Sequence, residues 1–287
     1  MKICFLDSSP VPYTSNDLNS KDLRGAENAI INLSNELSKL KINVDVFNNC
    51  SENFVINGVK WSNINKINKE KNYDYAFTNN DIRLFDKITA NKFAAFSHSI
   101  QSIEKFIRKG QFLSYLKYKP KIILLSNYHN KNRNYLLKMF GTINLEWAVD
   151  PLFLKTSLNE SIIENRAIFT SRTDRNLEIL INLWKKDIFP KNKSIKLYTT
   201  PSELIDDKFN IYARNFDDKT SMVSDLLKSK VLLAPGHKGE VYCIAAEEAR
   251  ELCLPIITLG IGSLAERVHH GETGFIAKDT KEFAEYT

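Results

Sequence analysis

The amino-acid sequence predicts an α/β protein built as two lobes, each around a parallel β-sheet. Three observations lead there. Short apolar runs alternate with segments of helical periodicity, the pattern of strands joined by crossover helices. Asp150-Pro151 interrupts that alternation, and the residue before a proline is pushed out of helical geometry. A second series of the same kind then starts at Ala167, and the chain of 287 residues is long enough for two modest domains.

The elements follow in order. Ile3 to Leu6 reads as the first strand, followed by a polar stretch, Ser8 to Arg24, too long for a plain connector. Ile30, Leu33, Leu37 and Leu40 recur at three- and four-residue spacing and predict an amphipathic helix with these four on its inner face. Val44–Phe47, Tyr75–Phe77, Phe93–Phe96 and Lys121–Leu125 read as buried strands. In the second series, Ala167–Thr170, Ile195–Tyr198, Val231–Ala234 and Pro255–Thr258 are strands, while Leu177–Trp184 and Cys243–Leu252 are helices. The lobes are expected over 1–153 and 154–287.

Composition narrows the class. With 43% hydrophobic and 26% charged residues the chain can bury a core, and nothing in it forces disorder. No uncharged apolar run reaches the roughly 18 residues a spanning helix needs. Met1-Lys2-Ile3-Cys4-Phe5-Leu6-Asp7 meets an acid at once, which fits a strand and not a secretion signal. Cys4, Cys50, Cys243 and Cys253 are scattered, which argues against a disulfide framework and leads us to expect a reducing, cytoplasmic setting. The net charge of +6 is compatible with anionic partners without choosing among them.

The informative stretch runs from Ala234 to Ala249. It places Glu240 in a strand-to-helix loop and Glu248 eight residues later. At 100° per residue, eight steps return to within about 80° of the start, so both carboxylates are expected to face one cleft. The helix start between them offers free backbone N–H groups and a positive dipole end. That suits sugar hydroxyls and phosphate, and a carboxylate about two turns in can accept bonds from vicinal ribose hydroxyls. Glu248 stands among Cys243, Ile244, Ala245, Ala246 and Ala249, so a partly buried acid there needs partners. A solvated glutamate on an ordinary helix is the plain alternative.

The surrounding residues resemble the retaining, family-4-like glycosyltransferases of the GT-B fold. That family carries a Glu, seven residues, then Glu-Ala, with a Gly-x-Pro beyond. Here Glu248-Ala249 leads to Leu254-Pro255, then Ile256-Ile257-Thr258, Gly260 to Gly262, Glu266 and Val268. Gly271-Glu272-Thr273-Gly274-Phe275-Ile276 is similar to the family's closing run. Two departures stand out: the family's Glu-Gly-Phe-Gly is Glu240-Val241-Tyr242-Cys243 here, and its glycine before the proline is Leu254.

The resemblance implies two Rossmann-like lobes facing across a cleft, with the nucleotide-sugar donor on the second. Arg172 and Arg175, in Ser171-Arg172-Thr173-Asp174-Arg175-Asn176, would hold the diphosphate, as paired guanidiniums suit phosphate. Glu248 would take the ribose, and Glu240 with Val241, Tyr242, Cys243 and Ile244 the sugar. In the first lobe, Arg24-Gly25-Ala26-Glu27 resembles the family's glycine loop, where Gly25 lets the backbone approach a diphosphate. His98, in Phe96-Ser97-His98-Ser99, matches an acceptor-side histidine. Asp150 resembles the hinge aspartate and is expected to be structural. Glu240 and His98 are thus the catalytic candidates.

The implied activity is hexosyl transfer, with retention of configuration, from a UDP- or GDP-linked sugar to an acceptor hydroxyl on a glycan, lipid-linked or polysaccharide precursor. No cofactor or metal is expected: His129, His237, His269 and His270 lack ligand spacing with acids or cysteines, and arginines with a helix dipole would neutralise the leaving diphosphate. No nucleic-acid partner is expected. Residues 103–121, basic and interleaved with aromatics, could touch the inner face of an acidic membrane or form an ordinary surface helix with a buried aromatic stripe. Relatives usually continue past Glu285-Tyr286-Thr287 with a helix that returns to the first lobe, so that helix is expected to be lacking. A sugar-nucleotide 2-epimerase of the same fold and a non-catalytic nucleotide-sugar-binding remnant remain open. A dinucleotide oxidoreductase is disfavoured, since neither Ile3–Asp7 nor Gly260-Ile261-Gly262 leads into G-x-G-x-x-G.

Overall fold

The computed structural model describes residues 1–18, 20, 23–158, 163–214 and 218–287. Part of the polar stretch Ser8–Arg24 (residues 19, 21 and 22) lies outside them. The chain divides into two compact units, Met1–Glu146 and Trp147–Thr287. The sequence expectation put that division at 153/154. The earlier position follows from what residues 147–153 touch: Trp147 takes the Tyr242 hydroxyl on its carbonyl, Asp150 pairs with Lys219 at 2.8 Å, and Phe153 is buried in the core of the second unit.

In the first unit, β1 (Lys2–Leu6) leads through helix α1 (Gly25–Lys39) to β2 (Asn43–Asn48). A short hairpin of β3 (Phe54–Ile56) and β4 (Val59–Asn63) follows, then β5 (Asn72–Asn79), β6 (Thr89–Phe96), helices α2 (Ile103–Arg108) and α3 (Gln111–Tyr118), β7 (Lys121–Leu124), α4 (Asn127–Asn132) and β8 (Thr142–Asn144). The strand order is β3-β4-β2-β1-β5-β6-β7-β8, parallel except for β3 against β4. Successive strand residues point to opposite faces. Accordingly Cys4 and Leu6 enter one core cluster, and Ile3 and Phe5 the other, so the sheet is covered on both sides. Helix α1 buries Ile30 and Ile31, with Leu33 and Leu37 partly covered. Leu40 departs from the expected inner stripe: it caps the helix and is 72% exposed, because the chain turns there toward β2.

The second unit opens with α5 (Pro151–Lys155), capped by the Asp150 carboxylate. It continues with β9 (Arg166–Ile168), α6 (Leu177–Leu183), β10 (Lys196–Thr199), β11 (Ile211–Ala213), α7 (Lys219–Leu227), β12 (Val231–Gly236), α8 (Ile244–Glu251), β13 (Ile256–Ile261), α9 (Leu264–Arg267), β14 (Gly274–Ile276) and α10 (Thr280–Tyr286). All its sheet neighbours are parallel, in the order β11-β10-β9-β12-β13-β14. Ala167 packs into one core cluster and Ile168 into the other. From β9 the strand order proceeds outward on one side through β10 and β11, and from β12 on the other through β13 and β14. The gap between the C-terminal ends of β9 and β12 is therefore a topological switch point, where open parallel sheets form a crevice.

Candidate functional site

The two connections that leave this switch point carry most of the residues singled out in the second lobe. The β9–α6 loop holds Arg172 and Arg175; the β12–α8 loop holds Glu240 to Cys243. They are tied together. The Asn176 side-chain amide donates to the Gly236 carbonyl, and Arg175 Nη1 meets His237 Nδ1 at 2.9 Å. The same Nδ1 accepts from the Gly239 N–H at 3.0 Å, so His237 presents an unprotonated nitrogen to both donors.

The β12–α8 loop folds on two glycines. A Cβ on Gly236, where φ is +90°, would come within 2.5 Å of the Ile261 carbonyl oxygen. One on Gly262, where φ is +78°, would come within 2.4 Å of the His237 carbonyl oxygen. Only glycine tolerates both the left-handed backbone and the contact. Glu240 is thereby fixed: its N–H donates to His237 O at 2.9 Å and its carbonyl accepts from Ser263 N–H at 3.0 Å. Burial pushes its carboxyl above the usual carboxylate range, while Cys243, Arg175 and His237 pull it back. Arg172 is bound to Asp174, with Nε 2.9 Å from the carboxylate, and is 66% exposed; Asp174 first, then the charge of Glu240, holds its pKa above the ordinary value.

Val241, Tyr242 and Cys243 are 6%, 5% and 5% exposed, so their side chains point into the protein. The Tyr242 hydroxyl is committed to the Trp147 carbonyl, and its ring packs against Trp147 and under the Arg267 guanidinium. What Val241, Tyr242 and Cys243 can offer a ligand is main chain. Cys243 adopts φ 59° at the N-cap of α8, which leaves the first N–H groups of the helix, beginning at Ile244, facing out of its start.

Glu248 lies one face further along α8, in different company from Glu240. Desolvation pushes its carboxyl up to about 7, against the attraction of Lys219 and Arg214 and with the repulsion of Asp150. It makes no hydrogen bond among the described residues. Cys243 stands between the two acids and feels both, and burial first, then their charge, pushes its thiol well up. The structure thus gathers Arg172, Arg175 and Glu240 in one charged group, and groups Glu248 with Arg214 and Lys219 in another on the far side of Cys243.

Gly25 and His98 belong to the first unit. Gly25 is the first residue of α1 and exposed. Just inside that helix, Glu27 accepts from Ser9 Oγ at 2.8 Å and is 7% exposed. His98 follows β6; its ring stacks on Phe96 and its N–H donates to Asn80 at 3.0 Å. Desolvation, then His129, depresses the His98 imidazole to about 4, so it is neutral at neutral pH. Both residues stand at the C-terminal edge of the first sheet. Sequence reasoning missed His237, Arg214 and Lys219. His237 was within reach, since it directly follows the apolar strand and precedes Glu240 by three; Arg214 and Lys219 had no local signal.

Among the described residues no three His, Cys, Asp or Glu side chains gather as a metal-ligand set, and no helix is long and apolar enough to cross a membrane.

Compared with known proteins, the chain matches no protein-family model and no curated protein. Solved structures do resemble it. Sucrose-phosphate synthase from Thermosynechococcus elongatus is 13% identical, with a TM-score of 0.66 over 99% of this chain and 88% of that one. A glycosyltransferase from Rickettsia africae is 13% identical, with a TM-score of 0.68 over 99% and 86%. Anabaena HepE, solved in complex with UDP-glucose, is 14% identical, with a TM-score of 0.68 over 99% and 88%. The chain therefore has the α/β fold, with parallel sheets, of the GT-B glycosyltransferases.

Proposed function

We propose that this protein is a retaining glycosyltransferase that moves a hexosyl group from a UDP- or GDP-linked sugar to an acceptor hydroxyl. The observation that carries the reading is the meeting of Arg175, His237 and Glu240 at the β9/β12 switch point, beside the start of α8. Cationic side chains and helix-start N–H groups at such a point suit a diphosphate leaving group. That the similar HepE was solved with UDP-glucose supports the same substrate class.

On this reading Arg175 and Arg172 hold the diphosphate, and the main chain from Val241 to Ile244 meets the sugar phosphate at the helix start. Glu240 takes sugar hydroxyls, and the desolvated Glu248 accepts hydrogen bonds from the ribose. The bond from the anomeric carbon to the diphosphate breaks as the acceptor oxygen bonds on the same face, and the acceptor proton passes to the departing phosphate. Stabilising the charge that grows on that phosphate is the main catalytic contribution. Retention and metal-independence rest on the family resemblance of the Glu240–Ala249 segment. Neutral His98, on the first unit, serves the acceptor side, and Gly25 lets the backbone approach the diphosphate.

A ligand-stabilisation screen tests the donor. UDP-glucose or GDP-mannose should raise the melting temperature in a concentration-dependent way, since a ligand that binds only the native state stabilises it by mass action. No response to UDP-, GDP- or ADP-sugars would sink the reading. Product analysis separates transfer from 2-epimerisation: transferase consumes donor only with an acceptor, an epimerase converts it alone, and a binding remnant does neither.

Peripheral membrane contact is favoured by one specific observation. Phe106 and Tyr115 are buried as an aromatic stripe, yet Ile107 and Leu113 are 54% and 78% exposed amid exposed Lys105, Arg108, Lys109, Lys117 and Lys119. Apolar side chains ringed by cations fit the surface of an anionic bilayer. Co-sedimentation with phosphatidylglycerol vesicles, lost in Leu113→Glu, is the expected result; equal recovery of both proteins would refute it.

A further inference from the structure

The two arginines that follow β9 are held by different means. Arg172 is bound to the Asp174 carboxylate. Arg175 forms no ion pair among the described residues. Its guanidinium meets the unprotonated Nδ1 of His237 at 2.9 Å, while Asp174 and Glu240 feel its charge without bonding to it.

Both loops of the switch point build that contact. The Asn176 side-chain amide donates to the Gly236 carbonyl, which brings the residue after Arg175 against the residue before His237. The Gly239 N–H donates to the same Nδ1 at 3.0 Å and restrains the ring. Gly239 also leaves the space: a Cβ there would stand 3.1 Å from His237 Nδ1 and 3.4 Å from Arg175 Nη1. Two donors on Nδ1 require a neutral ring that carries its proton on Nε2.

The choice of partner has an electrostatic consequence. A carboxylate would hold a guanidinium and neutralise it, whereas a neutral imidazole nitrogen holds it and leaves its charge whole. A free arginine side chain loses rotamer freedom when a ligand fixes it, and that loss lowers affinity about two- to tenfold unless the side chain is ordered beforehand.

We infer that His237 is a positioning residue: through Nδ1 it pre-orders Arg175 for an oxygen of the donor diphosphate without cancelling the charge that binds it. The identity of the ligand rests on the donor reading; the contact between Arg175 and His237 does not.

Calorimetry with UDP and imidazole NMR test the two parts separately. His237→Ala should bind UDP about two- to tenfold more weakly than wild type. His237→Asn, whose side-chain oxygen can take the place of Nδ1, should recover most of that loss. In an Arg175→Met background His237→Ala should cost nothing more, because the histidine acts only through the arginine. Gly239→Ala keeps the imidazole but crowds it off Arg175, and should lose affinity as His237→Ala does. Wild-type affinity in His237→Ala or Gly239→Ala, no recovery in His237→Asn, or a further loss in the Arg175→Met background would overturn the inference. NMR of the ligand-free protein should find the His237 proton on Nε2, and Arg175→Met should shift the Nδ1 resonance while Lys39→Ala leaves it in place. A proton on Nδ1, or a resonance unmoved by Arg175→Met, would remove the contact and the inference with it. A wild-type protein that shows the NMR result yet binds no UDP would instead overturn the donor reading, and with it the ligand named here, while the contact stands.

Discussion

Replacing Glu248 by glutamine exposes the electrostatic cost built into helix α8. Desolvation raises its carboxyl from 4.5 to about 7 in the native state, net of attraction to Lys219 and Arg214. A group whose native pKa lies above its unfolded pKa favours the native state most when protonated. Its contribution is complete below pH 4.5 and is lost as pH rises through about 7. At 1.36 kcal/mol per unit, the charged carboxylate costs the folded protein about 3 kcal/mol at pH 8 relative to pH 4.5. Glutamine keeps the shape and removes the charge. Urea unfolding should then find Glu248→Gln more stable than wild type at pH 8, by up to about 3 kcal/mol, with the gap closing toward pH 5. UDP should stabilise the variant less, because a neutral amide is a poorer acceptor for ribose hydroxyls than a carboxylate. A variant less stable than wild type at pH 8, or a difference that does not change with pH, would refute the reasoning.

Two further substitutions probe the same unit. Arg175→Met removes a charge-assisted contact worth about 1.5–3 kcal/mol, so calorimetry should show UDP affinity falling roughly ten- to a hundredfold, while Lys39→Ala, on an exposed ion pair of the first unit, leaves it unchanged; equal affinities would remove Arg175 from the donor site. Gly262→Ala forces a Cβ toward the His237 carbonyl in left-handed backbone and should cost about 2 kcal/mol or more in chemical denaturation, together with the Glu240 geometry that Ser263 anchors; a neutral effect would show that the loop is not held by that contact.

Much of the fold could be read locally, because each strand of a doubly covered parallel sheet is an apolar run and each crossover helix carries its own stripe. Ile3–Leu6, Val44–Phe47 and Val231–Ala234 needed nothing more. The β3–β4 hairpin was overlooked although Asn57-Gly58 gave its turn, with positive φ at both residues; its strands are short and Val55 is 73% exposed, so no apolar run flagged them. Strands β8, β11 and β14 have three residues each, too few for a periodicity.

The sequence by itself determined the two α/β series, the covered sheets and the Glu240–Glu248 segment, since chain neighbours and helical repeat are local properties. Tertiary structure alone decided which charges meet. Arg175 reaches His237 across the switch point, Glu248 stands among Arg214 and Lys219, Tyr242 turns inward to Trp147, and Arg133 is buried with an Nε that has no hydrogen-bond partner among the described residues. Such encounters depend on strand order and on which side of a sheet each crossover passes. Those are set by packing summed over the whole unit, and no window of sequence records them.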